Sequence, residues 1–403
     1  MWSNMNILVI PTNDWMRAPG RGHINSIAEE LAARGHNVYA WNFDFYRNEA
    51  VKRTPRNVKL FTPRTLPIRD PALFFSLNAL FQGPAVFKTM RDLKIDVVIN
   101  ENVLSGLVAF LASNSNVLRV FDFSDYFPES ASIYYTGSSQ AMKKMVEVFT
   151  LAITKLNIRF SQICLAVCRS LINAISTMNE NKPCYMITNG AYTNKCTGLN
   201  TENKKNPQEI MNPSGVIIIM GVIDDWLDLE TPIEALKILG NRFQQLRLVI
   251  IGPWQKKEYK TKVEEFIKGR GLESRVEITG YISDEKLAEY LRVACCSVIP
   301  YKTDSYFSVI RLPEKLFVYS AYGKPVLSTP LPEVLALRCE HVFIYHDSEE
   351  FARVLSAILD DKNLRVEIEA KAKKFAREHD FKVLAEQLEQ ILVDGLNKLR
   401  AKA

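Results

Sequence analysis

Short, wholly apolar runs alternate with stretches of helical period along most of the chain. NILVIP is followed by INSIAEELAARGH and then NVYAWNF. DVVIN, VLSGLVAFLA, VLRVFDF, a long stretch from Gln140 to Phe160, QICLAV and LINAIST continue the pattern. Apolar runs of strand length between amphipathic helices predict a parallel sheet covered on both faces. The pattern then starts again. GVIIIMG, TPIEALKILG, LRLVIIG, YKTKVEEFIKGRG, RVEITG, DEKLAEYLRVA and CSVIPY lead to PVLST, HVFIYH and a helix from Ser348. Between the two series TGLNTENKKNPQEIMNPSG is polar and rich in Asn and Pro, which marks a linker. The reading is therefore α/β, with two Rossmann-like doubly wound domains. The first covers 1–200, the linker 201–213 and the second 214–378. The last stretch, 379–403, is a long helix with apolar residues at helical spacing. In doubly wound sheets ligands bind outside the carboxyl ends of the strands.

Composition narrows the class. The 403 residues are 47% apolar and 24% charged, which excludes a disordered chain and suits two packed domains. No run reaches the roughly 20 apolar residues of a spanning helix, and the N-terminus shows no basic leader, so a cytoplasmic protein is expected. The seven cysteines include no CxxC pair, and buried free thiols suit them better than zinc. Residues 1–200 hold 21 Lys and Arg against 14 Asp and Glu, whereas the remainder holds 30 against 31. The excess positive charge thus lies in the first domain, where anionic partners are expected.

Four segments of the second half stand in a telling order: GVIIIMGVIDDWLDLE, LRLVIIGP, RVEITGYISDEKLAEYLRVACCSVIPY and RLPEKLFVYSAYGKPVLST. Over about 214–346 they resemble the donor domain of glycosyltransferases with the GT-B fold, most closely glycosyltransferase family 4. MITNG resembles that family's turn near the domain junction. The resemblance implies two domains facing a cleft, an acceptor-binding first domain and a donor-binding second one. It implies transfer of a sugar from a UDP- or GDP-linked donor, retaining and metal-independent, with no further cofactor. It also implies that the last helix packs back on the first domain. Two departures stand out. The family's paired glutamates, eight apart, fall here on Ile310 and Val318, and the turn GVIDDWLDLE carries no base.

Candidate residues follow. A diphosphate needs backbone N–H groups and cations. A helix over 311–322, starting near Ser308 with Pro313 in its first turn, would offer both, with Lys315 the leading diphosphate ligand and Arg311 ahead of it. Glu314 lies one turn before Val318 and is the substitute for the missing ribose-binding glutamate, or simply a favourable first-turn acid. The nucleotide base is expected against Gly280, Tyr281 and Ile282, and Gly221 ends the first strand of the donor domain. In the first domain, glycines 20 and 22 with Arg17 and Arg21 permit close approach of phosphates. His23 resembles the histidine general base of inverting GT-B enzymes, or else caps the helix or contacts phosphate. Asp122 joins it as a catalytic candidate, orienting His23 or binding sugar hydroxyls. Glu101, Asp125 and Tyr126 are acceptor-side candidates, with ordinary loop and cap roles as the alternative.

Residues 70–94 and 138–160 mix Phe, Leu and Met with Lys88, Arg91, Lys94, Lys143, Lys144, Lys155 and Arg159. Basic amphipathic helices of this kind lie on anionic membranes, although apolar stripes more often face a core. The expected function is glycosyl transfer to an acceptor, a lipid-linked glycan being favoured, with an anionic membrane surface as a partner and no nucleic acid. A degenerate, non-catalytic binding subunit and a GT-B nucleotide-sugar epimerase are the alternatives.

Overall fold

The computed structural model describes residues 4–12, 15, 22–43, 55–101, 104–133, 135, 139–196, 215–240, 242–304 and 310–401. Two compact units emerge. Unit 1 comprises Met1–Thr188 and Phe381–Ala403, and unit 2 comprises Asn189–Asp380.

Unit 1 runs β1 (Asn6–Ile10), α1 (His23–Ala33), β2 (Asn37–Trp41), β3 (Lys59–Phe61), α2 (Pro71–Asp92), β4 (Val97–Asn100) and α3 (Leu104–Ala112). It continues with β5 (Leu118–Phe123), α4 (Phe127–Ile133), α5 (Gln140–Phe160), β6 (Ile163–Ala166), α6 (Arg169–Met178) and β7 (Cys184–Met186). All seven strands are parallel, in the order β3-β2-β1-β4-β5-β6-β7. The central strands are buried along nearly their whole length, which is why they read as unbroken apolar runs. The order reverses between β1 and β4, so their carboxyl ends form the switch point of the sheet.

The helix Phe381–Arg400 closes unit 1. It packs on α1 and β5, and Gly395 lets it lie close: a Cβ there would come within 2.8 Å of Leu118 and Ile163 side-chain atoms. Glu389 on this helix pairs with Arg34 at 2.6 Å and with His36 Nε2 at 2.9 Å.

Unit 2 contains β8 (Val216–Met220), β9 (Arg247–Ile251), β10 (Val276–Gly280), β11 (Ala294–Ile299), β12 (Val326–Ser328) and β13 (Val342–Ile344). They form a parallel sheet in the order β10-β9-β8-β11-β12-β13. Here the switch point lies between β8 and β11. The chain passes into unit 2 at Asn189, ahead of the boundary read at residue 200. The reason is local bonding: Asn189 Nδ2 donates to the Leu312 carbonyl at 2.9 Å, and Thr193 donates from N and Oγ1 to Asp380 Oδ2.

Candidate functional site

The richest constellation in unit 2 gathers at its switch point. β8 ends at Gly221, whose φ of +120° few side-chain-bearing residues adopt. Lys315 Nζ stands over this glycine: a Cβ on Gly221 would be 3.1 Å from it. The same ammonium lies 5.0 Å from the ring centre of Tyr301, just beyond β11. Burial raises the Tyr301 phenol, but Lys315 and Arg311 beside it prevail and hold it below its ordinary range. Thr329 Oγ1 donates to the Tyr301 carbonyl at 2.7 Å and fixes that loop. A cation on a helix start, beside a bare glycine backbone at a switch point, is a candidate anion site.

The helix that carries Lys315 spans Glu314–Ala321, with Pro313 as its N-cap. It does not start near Ser308, which lies outside the described residues; Ile310–Pro313 are non-helical. Proline fixes φ near −65° just ahead of the helix and leaves Lys315 in the first turn, nearer the amide donors than the earlier start allowed. The protein packed around Glu314 favours its neutral carboxyl and raises it, but the side chain is exposed and hydration works against that rise. Ile310 is buried and Val318 partly so.

Gly280, at φ +66°, ends the edge strand β10 with open space in front of it, and Tyr281 is 47% exposed. The Gly280–Tyr281–Ile282 turn is thus separated from Gly221 by β9, and Gly252, just past that strand, donates to the Gly280 carbonyl at 2.8 Å.

The turn after β8 acquires a base from elsewhere. Lys256 Nζ lies 2.7 Å from Asp225 Oδ2 and 3.5 Å from Asp224 Oδ1. Asp228 N donates to Pro300 O at 2.7 Å, which staples this turn to the loop after β11. Tyr301 and Lys256 were missed from sequence. The position of Tyr301 immediately after CSVIP was the available signal; Lys256 offered none.

In unit 1 a second cluster occupies the carboxyl ends of β1, β4 and β5. Glu101 Oε2 accepts from Thr12 N at 2.8 Å and Thr12 Oγ1 at 2.7 Å, and its Oε1 accepts from Ser124 Oγ at 2.7 Å. Burial raises the Glu101 carboxyl, while these bonds lower it. Asp122 is wholly buried and neither oxygen has a hydrogen-bond partner. Burial and then the Glu101 charge hold it well above the carboxylate range. His23 is the first residue of α1, 5% exposed, with both ring nitrogens unpartnered. Burial pulls its imidazole down to about 4, so it is neutral at pH 7. Asp125 Oδ1 accepts from Tyr126 N at 2.9 Å ahead of α4, and the Tyr126 ring meets Phe123 edge-on at 6.0 Å. Gly22 is the N-cap of α1; Arg17, Gly20 and Arg21 lie outside the described residues. Thus Glu101, Asp122 and Asp125 come together, with Thr12 as a member that sequence did not reveal.

Among the described residues no group of three His, Cys, Asp or Glu side chains is placed to hold a metal ion, and no helix is long and apolar enough to cross a membrane.

Residues 200–375 match the family model of glycosyl transferases group 1. A search of curated proteins finds no match. Among solved structures, Anabaena Alr3699/HepE in complex with UDP and glucose is 17% identical, covers 97% of this chain and 100% of its own, and superposes with a TM-score of 0.67. Sucrose-phosphate synthase from Thermosynechococcus elongatus is 16% identical, with 99% and 100% covered and a TM-score of 0.67. WaaG, a glycosyltransferase involved in lipopolysaccharide biosynthesis, is 16% identical, with 96% and 99% covered and a TM-score of 0.64. These likenesses establish two Rossmann-like parallel-sheet domains of the GT-B class. The chain thus has the GT-B fold, and residues 200–375 within it match the glycosyl transferases group 1 model.

Proposed function

We propose that the chain is a retaining, metal-independent glycosyltransferase of family 4 that moves a sugar from a UDP- or GDP-linked donor to a lipid-linked glycan. Unit 2 binds the donor and unit 1 the acceptor. The observation that carries the donor reading is Lys315, held over Gly221 and Tyr301 at the switch point. Its ammonium, Arg311 and the first amides of the helix from Glu314 supply the charge a diphosphate needs, without a resident cofactor. Glu314 takes the ribose hydroxyls, and the turn Gly280–Tyr281–Ile282 takes the base. UDP and glucose in the Anabaena structure support a uridine donor.

The Glu101–Asp122 cluster is the acceptor side. An acid whose protonated form burial favours donates a hydrogen bond to a sugar hydroxyl when it holds its proton, the role of Asp122 in this reading. His23, neutral and unpartnered, accepts one, and Asp125 and Tyr126 line the approach. In a retaining route the leaving diphosphate assists the acceptor hydroxyl, so His23 positions rather than ionises.

Calorimetry with UDP, GDP and their sugars tests this reading. Lys315→Met should weaken donor binding about 10- to 100-fold, the size of one charge-assisted hydrogen bond. Unchanged donor affinity in a folded Lys315→Met protein overturns it. The apolar residues at 310 and 318 favour a second reading, a binding subunit without turnover; tight donor binding with neither transfer nor slow donor hydrolysis would select it.

A further inference from the structure

We propose that α2, α3 and α5 of unit 1 together form a docking face for an anionic lipid bilayer. On α2, Leu73, Leu77, Leu80, Pro84, Phe87 and Arg91 recur three or four residues apart, and all six are exposed. On α5, Met142, Met145, Phe149, Ala152, Leu156 and Arg159 do the same, again all exposed. Such spacing puts each set on one helical face. α3 packs against both helices and adds Leu111, 61% exposed.

Both helices present large apolar side chains outward as well as inward, where Phe74, Val86, Met90, Val146 and Ile158 are buried. Their inward faces bury polar side chains that are hydrogen-bonded within the fold. Asn78 Oδ1 accepts from Leu66 N at 2.7 Å, and Gln82 Oε1 accepts from Trp41 Nε1 at 2.8 Å. Asn157 Oδ1 accepts from Asn100 Nδ2 at 2.6 Å. An apolar outward face, with part of the inward face given over to polar side chains, departs from a helix that serves only a water-soluble core. The large hydrophobic side chains left exposed also cluster: eleven of the eighteen among the described residues sit on these three helices. A patch of this kind marks an interaction surface.

Charge identifies the occupant. α2 and α5 carry six Lys and Arg against two Asp and Glu. The two acids lie off the stripes, Asp92 beside Arg91 at 3.2 Å and Glu147 beside Lys144 at 3.1 Å. Each stripe ends in an arginine, with Lys88 and Lys155 alongside. Their long stems lie along an apolar surface while the heads reach phosphate. A second copy of the same face would bring like charges together, so an anionic bilayer fits better than self-association. The face stands apart from the donor reading: vesicle binding tests one, nucleotide binding the other.

The experiment is flotation of the full chain with phosphatidylcholine vesicles, with and without phosphatidylglycerol, at low and high salt. The protein should float with the anionic vesicles, and less at high salt. Lys88→Glu and Arg91→Glu should each lower the partition about fivefold. Leu80→Glu with Met145→Glu should abolish it while circular dichroism and UDP binding stay unchanged, because both side chains face solvent. Flotation that ignores these substitutions, or absence from every vesicle, overturns the proposal. Concentration-dependent self-association relieved by the same substitutions also overturns it and assigns the face to a second copy.

Discussion

Gly221→Ala probes the switch point of unit 2 most sharply. A residue with a Cβ held at φ +120° costs about 1–3 kcal/mol of stability. The new methyl also meets Lys315 Nζ at 3.1 Å and Cε at 3.4 Å. The backbone cannot retreat easily, because it is pinned from behind. Gly252 lies so close that its own Cβ would stand 1.8 Å from the Gly221 carbonyl oxygen. The flexible lysine therefore yields. Displacing the ammonium, rather than deleting it, forfeits part of a charge-assisted hydrogen bond worth about 1.5–3 kcal/mol. A loss of about 1 kcal/mol corresponds to roughly fivefold weaker donor binding. The assay is calorimetry with UDP on Gly221→Ala, Lys315→Met and the double variant. If the methyl acts through Lys315, it weakens binding in the wild-type background and changes nothing once Lys315 is Met. Additive losses would refute the coupling. Wild-type UDP affinity in a destabilised but folded Gly221→Ala protein would refute it equally.

Three further predictions concern other parts of the fold. Asp122 has a folded-state pKa raised by burial and the Glu101 charge, so it binds a proton more tightly folded than unfolded; stability should fall as pH rises from about 4 through that raised value. Asp122→Asn should flatten this slope in urea denaturation at several pH values, and an unchanged slope would remove Asp122 as its source. Glu314 should titrate near 7 by carboxyl-carbon NMR, and the pH dependence of the donor KM should share that inflection and vanish in Glu314→Gln; titration near the usual glutamate value would show that solvent dominates at this site. Gly395→Val should destabilise unit 1 by about 1–3 kcal/mol through overpacking against Leu118 and Ile163, seen in urea denaturation, with UDP binding by unit 2 intact.

The sheets were legible because parallel strands are buried on both faces, so NILVI and VIIIM carry no alternation to confuse the reading. Gln140–Phe160 was legible to the residue, since its period is regular from end to end. The site was legible only in part. Lys315 stood out because a helix start follows Pro313, but the start was placed too early. A proline favours the first helical position, whereas here it is the cap. Thr12 and Lys256 escaped because each meets its partner across neighbouring strand ends, far apart in the chain, and Tyr301 because its partner Lys315 reaches it from the following helix. The apolar stripes of α2 and α5 were visible, but periodicity alone does not say which face points inward. That took the exposure of the two stripes, together with Asn78, Gln82 and Asn157, whose bonds hold polar side chains inward.

The return of the helix Phe381–Arg400 to unit 1 sets an order of birth at the ribosome. Residues 1–188 of unit 1 are made before unit 2, yet the helix that covers Leu118 and Ile163 is made after it. About 190 residues of unit 2 are synthesised in between, which takes roughly 10–40 s at about 5–20 residues per second. Throughout that interval the groove for Gly395, with Arg34 and His36 still lacking Glu389, lies open on the nascent chain. Unit 2, by contrast, is contiguous in the chain. Unit 1 is therefore finished after unit 2 although most of it is made earlier, and a chain stopped at residue 380 would have all of unit 2 and an unfinished unit 1.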